Sequence, residues 1–157
     1  MHTYIFGYGS LMNPKSLQKT LPGDREVIRA RVSGFQRKMN APVNGYAYLN
    51  LIEREGSSVE GVLIPISETE LDIISEREIG YVRTDITALL NVKIEGRALA
   101  FVAPDTVCTL KVPRSYIMTC TMGMTEDERS RWISETLIEG TIEEDLEKPV
   151  YMNAVLD

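Results

Sequence analysis

Two short segments hold the residues whose types and spacing could do chemistry. The first, Tyr4-Ile5-Phe6-Gly7-Tyr8-Gly9-Ser10-Leu11-Met12, runs an apolar strand into a glycine-containing turn. Gly7 and Gly9 carry no Cβ, so the backbone there can approach a ligand closely. A strand ending in consecutive free amides forms a concavity suited to a carboxylate or an oxyanion. The hydroxyls of Tyr8 and Ser10 supply donors and acceptors at its rim. The same residues also fit an ordinary strand followed by a turn that binds nothing.

The second segment is Ser75-Glu76-Arg77-Glu78-Ile79-Gly80-Tyr81-Val82-Arg83. Ser67-Glu68-Thr69-Glu70 reads as a capping box, so a helix starts there. On that helix positions 71, 74 and 78 share one face. Leu71 and Ile74 turn this face inward and carry Glu78 with them. A carboxylate so placed loses hydration and feels the negative end of the helix dipole, and both effects raise its pKa toward neutrality. Such a group is suited to general acid–base work. An outward placement also satisfies the sequence, with Glu78 paired to Arg77 or Arg83. Glu76 is the competing acid, on a face shared with Asp72 and Ile73 and expected to be solvated.

The elements that must position these groups follow from periodicity. Residues 4–6 form a first strand. Asn13-Pro14 reads as an N-cap with proline at the first helical position, opening a short helix to about Thr20. Residues 27–39 alternate as a strand, with a bend or bulge at Gly34. Residues 46–53 and 58–65 read as a hairpin about an Arg54-Glu55-Gly56-Ser57 turn. The Ser67 helix stops at Gly80, and strands resume near 81–88, 91–95 and 97–103, with a tight turn at Glu95-Gly96. A helix from Arg114 to about Met122 precedes a second capping box at Thr125-Glu126-Asp127-Glu128, which opens a helix to about Leu137. Met118, Met122 and Met124 read as core filler. Residues 140–157 read as a C-terminal tail, acidic at Glu143-Glu144-Asp145 (a solvated helix face) and extended around Pro149-Val150-Tyr151. Strands and helices interleave without a βαβ rhythm, so the class is α+β.

Length and charge bound the function. The 157 residues, 43% apolar and 25% charged, fit one domain spanning 1–157 with a core that needs no staples. A net charge of −6, from 23 acidic and 17 basic residues, argues against a nucleic-acid or anionic-membrane partner. The near-cluster Arg25, Arg29, Arg31, Arg37 and Lys38 reads as a solvated face. Two cysteines, Cys108 and Cys120, and a single histidine, His2, leave no Cys/His metal site and no credible histidine-assisted nucleophile. The absence of signal-peptide features and of a long apolar run makes the cytosol the expected compartment. The sequence shows no coiled-coil heptads and no clear exposed apolar stripe that would set an oligomeric state.

Taken together, Tyr8-Gly9-Ser10-Leu11 and Arg77-Glu78-Ile79-Gly80-Tyr81-Val82-Arg83 resemble the paired motifs of the γ-glutamylcyclotransferase-like superfamily. Gly34-Phe35-Gln36-Arg37, and Tyr48-Leu49-Asn50-Leu51 followed by Val59-Glu60-Gly61-Val62-Leu63, resemble its intervening segments in the same order. Tyr116-Ile117-Met118-Thr119-Cys120 is a loose echo of a later helix. One departure is that the spacing Leu-Asp-x-x-Glu would place Ser75 at the acid position. Alignment on Arg-Glu-x-Gly-Tyr selects Glu78 instead and keeps Glu76 as runner-up. The resemblance implies a small mixed β-barrel flanked by helices, with a cavity at its mouth. It also implies release of 5-oxoproline from a small γ-glutamyl compound, without metal or organic cofactor. Glu78 would be the catalytic acid and base, and Tyr8, Gly9, Ser10 and Leu11 would bind substrate. A non-catalytic small-molecule binding module on the same scaffold is the alternative.

Overall fold

Both faces of the first strand are apolar, and both are covered. In the computed structural model, which describes residues 2–145, β1 (His2–Gly7) sends Phe6 into one core and Ile5 into another. β1 lies at the centre of a five-stranded sheet with β2 (Ile28–Val43), β3 (Tyr46–Ile66), β4 (Val82–Asp85) and β5 (Gly96–Val102), in the order β2-β3-β1-β5-β4. β1 and β5 are parallel and the other pairs antiparallel. The sheet curls into a half-barrel, a mixed α+β architecture. Val32 of β2 bridges Leu90, and the Asn91 amide donates to the Arg31 carbonyl at 3.0 Å, so the segment after β4 meets β2 across the gap.

Among the described residues four α-helices cover the sheet. α1 (Pro14–Thr20) is capped by the Asn13 side chain, with Pro14 at its first position. α2 (Glu68–Arg77) buries Leu71 and Ile74 against Ile5, Ile64, Leu99 and Phe101. Each such aliphatic side chain contributes roughly 1.5–3 kcal/mol. α3 (Arg114–Cys120) and α4 (Glu126–Ser134) close the interior core, which holds Ile117 and Trp132. Among the described residues no helix is long and apolar enough to cross a membrane.

Several local expectations are revised. The chain does not reverse at residues 54–57: both flanks of β3 pair with β2, and the reversal is at Asn44-Gly45, both at positive φ. Gly34 and Gly56, each at φ 82°, instead mark a shift of register within one long hairpin. Residues 91–95 form no strand, and α4 ends at Ser134 rather than near Leu137. Of the methionines expected in the core, Met118 and Met122 are exposed, while Met124 packs against the interior core.

Glu143, Glu144 and Asp145 are not on a helix. β6 (Val112–Pro113) pairs in parallel with β7 (Ile142–Glu143), and Arg114 donates to Glu144. Asp145 takes the Ser115 amide at 2.9 Å and the Ser115 hydroxyl at 2.7 Å. The carboxylate thereby caps α3, whose own N-cap, Pro113, has no side-chain hydrogen bond to offer. Asp145→Ala is expected to cost about 1 kcal/mol and lower the melting temperature by a few degrees at neutral pH. The expected extended stretch at 149–151 lies outside the described residues.

Candidate active site

The register of α2 decides where its acids point. Ser67 accepts from the Glu70 amide, and the Glu70 side chain accepts from the Ser67 amide, so the capping box fixes the first turn. The helix ends at Arg77, and Glu78 is its C-cap residue. Its amide still donates to the Ile74 carbonyl at 3.0 Å, which holds Glu78 on the inward face below Leu71 and Ile74. The Glu78 side chain is buried, with the residue only 7% exposed, whereas Glu76 is exposed. Gly80, at φ 86°, turns the chain so that Tyr81 comes back over Glu78, its amide bonded to the Glu78 carbonyl at 3.1 Å.

Glu78 opens into a cleft whose other wall is the turn after β1. The non-atom space of the cleft, open mouth included, is about 540 Å³. Tyr8, Gly9, Ser10 and Leu11 all line it. Residues 10–12 form a short helical turn, closed by the Met12 amide on the Gly9 carbonyl and the Asn13 amide on the Ser10 carbonyl, both at 3.0 Å. Gly9 caps this turn without a side-chain bond. The amides that begin it therefore have no partner within the turn and are available as donors. Gly9 itself is tightly packed: a Cβ there would lie 2.9 Å from Leu49 Cδ1 and 3.2 Å from the Tyr116 hydroxyl.

The remaining wall is aromatic. Tyr8 does not stand at a rim: it is buried, and its hydroxyl donates to the Phe101 carbonyl at 2.7 Å. The Tyr81 hydroxyl donates to the Leu49 carbonyl at 3.0 Å. Tyr116 packs edge-on against Tyr48, with ring centres 4.8 Å apart, and its hydroxyl bonds the Cys120 sulfur. Burial raises the pKa of Tyr8, Tyr81 and Tyr116, and the neighbouring Glu78 charge adds to the effect at Tyr8 and Tyr81. All three are neutral hydroxyls at physiological pH.

No lysine, arginine or histidine is among the described residues that line this cleft. A carboxylate here faces apolar and phenolic surface, and burial pushes the Glu78 carboxyl from 4.5 to about 8. The site thus combines a proton-exchanging acid, a set of free amide donors and a water-poor wall. Of the residues singled out in the sequence, Glu78 and residues 8–11 meet in this one cleft, and Glu76 does not reach it. Tyr48, Leu49, Phe101 and Tyr116 join them from β3, β5 and α3. The available hint to the first two was the strand pattern of residues 46–51.

Comparisons with known proteins bear on the fold and the family. A search of curated proteins finds no match to the sequence. Among solved structures, YkqA from Bacillus subtilis is 19% identical with a TM-score of 0.68, over 85% of this chain and 53% of that one. The present chain therefore spans about half the length of YkqA. An uncharacterized protein from Homo sapiens is 14% identical with a TM-score of 0.69, over 93% of this chain and 95% of that one. A structure described as gamma-glutamyl cyclotransferase is also 14% identical with a TM-score of 0.69, over 94% and 96%. At these identities the likeness is one of fold. The sequence itself matches the family model for gamma-glutamyl cyclotransferase, AIG2-like, over residues 5–118, and the chain belongs to that family.

Proposed function

We propose that this protein cyclises a small γ-glutamyl compound to 5-oxoproline and releases the attached amine or amino acid. The observation that carries this reading is the buried Glu78 carboxyl, with its pKa near 8, in the same cleft as the amides of the 8–11 turn. In the reaction the α-amino nitrogen of the glutamyl group bonds to its own γ-carbonyl carbon, closing a five-membered lactam. The bond from that carbon to the departing nitrogen then breaks. Nucleophile and electrophile belong to one molecule, so folding the substrate in the cleft supplies much of the acceleration.

Two proton movements remain. The α-ammonium must lose a proton before it can attack, and the departing nitrogen must gain one. That ammonium sits beside the substrate's own α-carboxylate, which holds its pKa above the roughly 7.7–8.0 of a peptide α-amino group. A carboxyl at about 8 takes that proton at modest cost, whereas an ordinary carboxylate is a weaker base by several orders of magnitude. Glu78 then returns the proton to the departing nitrogen, and the free amides of the turn hold the developing oxyanion or the substrate carboxylate.

Because Glu78 must be ionised to start the cycle, kcat/KM is expected to rise with pH through a limb centred near 8. A pH–rate profile measured below saturating substrate checks this. A limb near the ordinary glutamate value of about 4.3 is the contrary result. Incubation with glutathione, γ-glutamyl-alanine and γ-glutamyl-ε-lysine, with 5-oxoproline detected by mass spectrometry, tests the reaction itself. Product from at least one supports it. Binding without product from any of them supports the non-catalytic binding module instead.

A further inference from the structure

A second cavity shares the 10–12 turn with the first. Leu11 faces the candidate active site, and the next residue, Met12, lines the second space, about 680 Å³ of non-atom volume with its mouth included. Three arginines and three glutamates surround it: Arg31, Arg37, Arg131, Glu60, Glu128 and Glu135. Their charges cancel. A lone anion entering this space faces three carboxylates, and a lone cation faces three guanidinium groups. A ligand carrying both charges fits either sign with its own partner.

Arg37 is the anchor. It is 6% exposed, and its guanidinium carbon lies 4.8 Å above the Trp132 ring. A guanidinium has five N–H donors. The Arg37 Nε donates to the Thr136 hydroxyl at 3.0 Å, while Nη2 lies 3.5 Å from the Trp132 carbonyl and 3.7 Å from Glu135. Among the described residues Nη1 has no partner of this kind. A buried charge with spare donors beside a cavity is poised for a carboxylate, which a guanidinium takes in a bidentate grip. Burial also lowers the Arg37 pKa, with Glu135 opposing the shift, as expected of a cation short of partners.

The other charges sort themselves. Arg31 and Glu60 pair with each other at 2.6 Å and are already satisfied. Glu128 Oε1 accepts from the Thr125 amide, which leaves its second oxygen free for the cavity. Met12, Met124 and Trp132 offer apolar surface beside the charges. We propose that this cavity is a binding site for a free α-amino acid, with the carboxylate on Arg37 and Arg131, the ammonium against Glu128 and Glu135, and an apolar side chain on the two methionines and Trp132. The site is independent of the reaction proposed above.

Trp132 is the sole tryptophan of the chain and reports on the site directly. Titration of the whole protein with L-leucine, followed by Trp fluorescence and in parallel by calorimetry, is expected to saturate with a midpoint on the order of 1 mM. Acetate and ethylamine, each carrying one of the two charges, should bind at least about tenfold more weakly. Arg131→Gln and Glu128→Gln alter exposed positions of α4, and glutamine preserves the capping box. Each should weaken leucine binding by about tenfold. Glu78→Gln should leave it unchanged, since Glu78 lines the other cleft. Absence of saturation by both methods, acetate binding as well as leucine, indifference to the two α4 substitutions, or loss of binding in Glu78→Gln would each overturn the proposal.

Discussion

Glu78→Gln is expected to melt higher than the wild type at pH 8, to match it near pH 4, and to lose turnover at every pH. The stability half follows from proton linkage. The unfolded chain releases the Glu78 proton near 4.5, whereas the folded chain holds it until about 8. Between those values the native state binds more protons than the unfolded state, so stability falls as pH rises through that window and levels off above it. The full penalty is about 5 kcal/mol, since each tenfold difference in proton affinity corresponds to about 1.4 kcal/mol. A neutral amide of nearly the same shape escapes it. The gain should appear as a rise of roughly 10 °C in melting temperature for a chain of this length. The loss of turnover should reach about a thousandfold or more, because glutamine can neither accept nor return the proton. Thermal melts across the pH range, run beside 5-oxoproline assays, check both halves. A variant that gains stability while losing function is the mark of a side chain held in place against its own solvation.

The second large effect is expected at Gly9. A methyl group there meets Leu49 Cδ1 at 2.9 Å and the Tyr116 hydroxyl at 3.2 Å. Leu49 Cδ1 ends a side chain buried in the interior core, and Tyr116 is held by its contacts with Tyr48 and Cys120. The turn must therefore shift, and with it the amides of Ser10 and Leu11, which the proposed reaction uses as donors. A displacement of about 1 Å at such a site costs roughly a hundredfold in rate. Gly9→Ala is thus expected to lower kcat/KM about a hundredfold while the protein still folds. Steady-state kinetics with a circular dichroism melt on the same preparation checks it, and activity within a few-fold of wild type counts against the geometry of the 8–11 turn.

Much of the positioning was legible in the chain because it is local. Asn13-Pro14, the Ser67–Glu70 box and the Thr125–Glu128 box each start a helix where side-chain capping requires it. The Leu71, Ile74, Glu78 stripe then follows from helical geometry alone. The reversal at Asn44-Gly45 was also written in the sequence, since that pair favours the positive φ of a two-residue hairpin turn. It was outweighed by Gly56, whose charged neighbours imitate a turn but mark a register shift inside one strand. The aromatic wall was not legible. Tyr48, Phe101 and Tyr116 come from three elements far apart in sequence, and only the curl of the sheet brings them to residue 9. The acidic run at 143–145 was opaque for the same reason: its partners, Lys111, Arg114 and Ser115, lie about thirty residues upstream and meet it through β6 and β7.

The choice between Glu76 and Glu78 carries the proposed mechanism, and one assay addresses it. Wild type, Glu76→Gln and Glu78→Gln are incubated with γ-glutamyl compounds at pH 8, and 5-oxoproline is quantified by mass spectrometry. Product from wild type and Glu76→Gln, with none from Glu78→Gln, is the expected result. Turnover that persists in Glu78→Gln and disappears in Glu76→Gln would contradict it.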